Sequence, residues 1–186
     1  MTGADAMYRE YGDVVAPLAD AEWSIQHALA VQGMRRHSLV LENLGRRAGA
    51  LAVLDRAIAW DRRSLAAAPD RRFAHVADLH RRVFLFLVDG RWREAMAAAE
   101  DLADAARYAG EWDGLLPDTA AYLRFQTERA RGLARMHLPG LAKEAQDAFT
   151  RALKALDGMS ERTAALAVAA AGGRPHEPVQ LPRIRR

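Results

Sequence analysis

The chain of 186 residues is 51% hydrophobic, enough to bury one core as a compact domain or a short solenoid. It contains no cysteine, which excludes disulfides and thiolate metal sites and fits a reducing compartment. The net charge of +3 comes from arginines interleaved with carboxylates, so outside a short basic tail no single-sign block marks a nucleic-acid binder.

Alanine and leucine dominate while β-branched and aromatic residues are sparse, a balance that favours helix. The first residues lack the basic stretch and apolar core of a signal peptide. No apolar run approaches the roughly 18 to 20 residues that span a bilayer, so the expectation is a cytoplasmic protein. Residues 3–15 read as a short helix using Met7, Tyr8, Tyr11, Val14 and Val15, ended by Pro17, with Asp20 as the next N-cap. This gives an N-terminal helical extension over 1–19, a repeat domain over 20–172 and a disordered basic tail over 173–186.

Within the repeat domain, Trp23, His27, Ala30, Val31, Met34, Ser38, Leu41 and Leu44 recur at three or four residues, one buried helical face. His27 and His37 read as core histidines. Gly45 ends that helix. The next carries Ala50, Leu51, Leu54, Ala57, Ile58 and Leu65 and stops before Pro69. Pro69-Asp70 and Pro117-Asp118 then open two further helical hairpins. The first pairs residues 71–88, with Phe73, Val76, Leu79, Val83, Phe86 and Leu87, against 92–108; the second pairs 119–138 against 141–156. Trp92 is expected to pack on a neighbouring unit, and Trp112 lies in the longest loop. A last short helix follows Ser160, with Ala164, Leu166, Ala167 and Val168 apolar, and ends at Gly172-Gly173.

The motifs of common enzymes are missing: no phosphate loop, no nucleotide-binding glycine fingerprint, no nucleophile turn and no zinc-binding histidine pair. Glu100, Asp101 and Asp104 read as a solvated helix face. The expectation is therefore a protein with no catalytic residues, no cofactor and no metal.

A glycine followed five residues later by an alanine occurs three times, at Gly45 and Ala50, Gly90 and Ala95, and Gly140 and Ala145. The glycines are 45 and then 50 residues apart, a spacing of repeated helical hairpins. In this pattern the chain resembles a tetratricopeptide repeat (TPR) protein of the long-helix actinobacterial type, over roughly residues 20 to 158. The first copy matches with Ser38, Leu41, Gly45, Ala50, Leu54 and Ala57. The second reads Val83, Phe86, Gly90, Ala95, Ala99 and Leu102. The third reads Leu133, Met136, Gly140, Ala145, Phe149 and Ala152, departing at its first position, with Gly132 beside it.

The resemblance implies an all-α solenoid of three hairpins with short helices at both ends. Its first helices would line a concave face. Counting back from each glycine places Arg36, Arg81 and Arg131 in one column there, and Arg35 and His80 in the next, with Phe84 as the aromatic candidate. A guanidinium ladder would hold the carboxylates of an extended peptide, since arginine forks onto carboxylate with two hydrogen bonds. The expected role is a protein-interaction scaffold with an acidic partner, and self-association through an uncapped end repeat is a further expectation. The alternatives are a regulatory or sensory helical domain associated with an actinobacterial transcription regulator and, last, an RNA binder, which would need more stacking aromatics than Phe84.

Overall fold

A computed structural model describes residues 25–65, 71–110 and 116–172, with the isolated positions 3 and 6. The expected N-terminal helix, the Asp20 cap, Trp23, the Pro69-Asp70 start, Trp112 and the tail lie outside the described residues. Among those described there are seven helices and no strand. They are α1 (Ile25–Asn43), α2 (Arg47–Ser64), α3 (Arg72–Val88), α4 (Trp92–Gly110), α5 (Pro117–Arg135), α6 (Ala142–Leu156) and α7 (Glu161–Gly172). No helix among the described residues is long and apolar enough to cross a membrane.

The three glycines do what a helix terminator must. Gly45, Gly90 and Gly140 have φ of 71°, 69° and 81°, a left-handed conformation that only glycine adopts without strain. In the first turn the Arg46 amide donates to Leu41 O at 2.8 Å and the Gly45 amide to Glu42 O at 2.9 Å. In the second, Arg91 donates to Phe86 O at 2.9 Å and Gly90 to Leu87 O at 3.1 Å. Both are the paired closure that satisfies the last carbonyls of a helix and turns the chain back on itself. Ala50, Ala95 and Ala145 are buried, at 0%, 0% and 3% exposure.

The third turn differs. Pro139 disfavours helical geometry in the residue before it, so α5 ends at Arg135 and residues 136–141 make the connection. Counting back from Gly140 therefore falls three residues short of the helical register. Ser38 and Val83, seven residues before their glycines, are 0% exposed; the residue buried in their manner on α5 is Ala130, ten before Gly140. Leu133, assigned to that small-residue position from the sequence, is only half-buried, and Met136 falls past the helix end and is exposed. Gly132 supplies a close approach: a Cβ there would stand 2.6 Å from the Phe149 ring of α6.

Each short turn makes its two helices neighbours, and α3 and α5 also pack on each other. One core runs from Leu41 of α1 through Leu54, Val83, Phe86, Ala99 and Leu102 to Leu123 and Ala130 of α5. A second cluster joins Val31 and Met34 to Trp60, which stacks near His27 at 5.4 Å. Trp60 is buried, as are His27 and His37. A third cluster holds α7 through Ala167 against Phe125 and Ala152. Asp118 stands in the first turn of α5, as expected, and its carboxylate also accepts from the Ser160 amide at 2.8 Å and from Thr163 Oγ1 at 2.7 Å, tying α5 to the start of α7.

Candidate functional site

The six residues singled out from the sequence lie on α1, α3 and α5, and the structure gives them different roles. Arg36 is exposed on α1. Arg81 turns to its neighbour: Nη2 donates to Glu42 Oε2 of α1 at 2.6 Å, Nε to the same oxygen at 3.1 Å, and Nη1 reaches Arg35 O at 3.4 Å. Arg131 donates through Nε to Glu100 Oε2 of α4 at 3.1 Å and through Nη1 to Glu128 Oε1 at 2.9 Å. Glu100 also receives Arg135 at 2.8 Å, so this carboxylate joins α4 to α5. The guanidiniums of Arg81 and Arg131 are thus answered within the chain. Because of the shifted register, α5 places Glu128, rather than Arg131, seven residues from its helix end, as Arg36 and Arg81 are from theirs.

Arg35 faces inward. It pairs with Asp61 of α2 and, at 2.6 Å, with Asp78 of α3; Arg71 meets the other Asp61 oxygen at 2.9 Å. Asp61 is 0% exposed, and two arginines meet it there, the pairing a buried carboxylate needs. Burial pushes the Asp78 carboxyl up to about 6, against the pull of Arg35. This cluster joins three helices and was missed from the sequence. Its partners are 26 and 43 residues apart, and Arg35 and Arg36 are chemically identical neighbours.

His80 and Phe84 are brought together, ring centroids 4.9 Å apart, and Arg129 of α5 lies over Phe84 at 5.3 Å. Burial and the Arg129 guanidinium push His80 down to about 4, so at neutral pH it is uncharged. It cannot act as the cation the column count made it. Arg129, which that count passed over, is the guanidinium that completes the patch. Trp92 stacks on His137 at 3.9 Å, as expected for a tryptophan packed on a neighbouring unit.

Glu100, Asp101 and Asp104 each meet an arginine: Arg131 and Arg135, Arg82, and Arg107. Among the described residues no cluster of three or more His, Asp or Glu side chains is placed to hold a metal ion. Comparison with protein-family models, with curated proteins and with solved structures finds no match.

Proposed function

We propose that the chain is a TPR-like helical-repeat module that binds an extended acidic segment of a partner protein across α1, α3 and α5. The observation that carries this reading is the lateral order of the glycine turns. Arg47, just after the first turn, reaches Asp89 at the second at 3.5 Å, and Trp92, just after the second, stacks on His137 in the third. Helical pairs whose turns follow one another along one edge have their first helices side by side, which is the arrangement of a solenoid.

The preference for acid rests on where charge is left over. The first helices α1, α3 and α5 carry nine arginines against four carboxylates. The second helices α2, α4 and α6 carry nine basic residues against eight acidic ones. Arg36 and Arg124, both exposed, are the contacts this reading now favours over the internally paired Arg81 and Arg131.

A labelled Glu-rich peptide, titrated against the full chain by fluorescence anisotropy, tests the reading. Joint reversal of Arg36 and Arg124 to Glu should weaken binding about tenfold or more, roughly 1.4 kcal/mol. Reversal of Arg56 and Arg107, exposed on second helices, should leave it near wild type. A neutral peptide of equal length binding as well, or equal losses from both pairs, would refute the proposal.

A further inference from the structure

At the end of the molecule away from the glycine turns, the last turns of α2 and α4 and the first half of α3 enclose a cleft of about 240 Å³. Its apolar wall includes Ile58 and Leu79, and its polar wall includes Arg62, Arg72, His75 and Tyr108. Arg72, His75 and Leu79 belong to α3, but they face this cleft between α2 and α4, and neither Arg36 nor Arg124, the contacts argued above for a partner segment, lines it.

Arg82 at the cleft is already answered by Asp55 at 2.9 Å and by Asp101 at 3.1 Å, and Asp104 by Arg107 at 2.6 Å. Arg62 and Arg72 differ. Among the described residues neither has a carboxylate partner. Arg72 lies over the Tyr108 ring, 4.1 Å from its centroid, and donates to the Tyr108 hydroxyl at 2.9 Å, a neutral acceptor. Its Nε is buried with no hydrogen-bond partner. One helical turn on, His75 is 6% exposed and its Nδ1 is likewise buried without a partner. Buried polar atoms are rarely left so, because each forfeits its hydration and gains nothing in return. Desolvation holds His75 below the ordinary histidine range, with Arg62 and Arg35 adding to it against Asp61, so it presents a neutral imidazole.

We infer that this cleft is a binding site for a small monoanionic organic acid, its carboxylate held by Arg62 and Arg72 and its apolar body against Ile58 and Leu79. The guanidinium fork suits a planar carboxylate. The rim carboxylates Asp101 and Asp104 oppose a second negative charge, which selects a monoanion over a dianionic phosphate. The volume limits the ligand to a small molecule rather than a peptide segment.

The full chain would be titrated with benzoate, cyclohexanecarboxylate, benzamide and inorganic phosphate, followed by calorimetry and by amide and ring resonances of His75 and Tyr108. The two carboxylates should bind and move those resonances, while benzamide and phosphate should not. Arg62→Gln and Arg72→Gln should each weaken binding about tenfold or more, and Arg56→Gln, exposed on α2 outside the cleft, should leave it unchanged. Arg62 is exposed, so its variant carries the test should the Arg72 variant fold poorly. Absence of carboxylate binding, equal binding of benzamide or phosphate, or indifference to Arg62→Gln would each overturn the assignment.

Discussion

Two residues apart on α3, Asp78 is buried and His80 half-buried, and desolvation acts oppositely on them. Asp78 is raised to about 6, so between about pH 4 and 6 the folded chain holds a proton the unfolded chain releases, and stability falls as pH rises. His80 is lowered to about 4, so across a similar window the unfolded chain binds the proton and stability rises with pH. His75, also lowered, acts in the same direction as His80. Each of Asp78 and His80 is worth at most on the order of 3 kcal/mol, and the two largely cancel. Urea denaturation across pH 4 to 6.5 would separate them. His80→Gln should make the slope of stability with pH more negative than in wild type, and Asp78→Asn should make it more positive. Variant profiles parallel to wild type would show that neither group is desolvated as described. Packing gives a second expectation at this scale. Ala95 is 0% exposed, so Ala95→Leu should cost about 1 to 3 kcal/mol, while Ala97→Leu, on the exposed side of the same helix, should stay within about 0.5 kcal/mol. Equal midpoints in denaturation would contradict the packing of α4.

Elements are held at their ends by local chemistry, and that part is legible in the sequence. Gly45 and Gly90 end helices through interactions within six residues, so the turns and the buried alanines after them follow from spacing alone. The third unit was read in the wrong register because Pro139 shortens α5, and a fixed count from Gly140 ignores the residues that no longer wind. Illegible altogether was the choice between Arg35 and Arg36. One turns inward because Asp61 and Asp78 come from other helices, a long-range fact that no local pattern encodes. The same holds for the second role of Asp118, which stands in the first turn of α5 as its sequence suggests and also holds the start of α7. Burial on α7 is slight, since Leu166 and Val168 are 47% and 53% exposed. Its anchorage therefore leans on the Asp118 carboxylate at its N-terminus, held below the usual carboxylate range by Ser160 and Thr163. Asp118→Ala should speed hydrogen exchange across α7 and leave α3 unchanged. Unaltered α7 protection would assign the anchoring to Ala167 alone.

Across the whole molecule, burial is graded from the middle outward. Helices α3 and α4 are packed on both sides, by α2 and by α5, and share the largest core. At one end α6 leaves an apolar groove of about 410 Å³ near its first turns, bordered by Met136 and by Leu153, which is 64% exposed. A chain whose units contact mainly their neighbours opens from its least covered end, because each end unit lacks one of the two interfaces that hold a middle unit. Native-state hydrogen exchange should therefore rank α3 and α4 slowest, α6 faster and α7 fastest. Leu153→Glu, at an exposed position, should leave that order and the melting temperature nearly unchanged. A single protection value shared by the seven described helices would mean that they open as one unit. In that case the stacking of helical pairs would describe their contacts without governing their energetics.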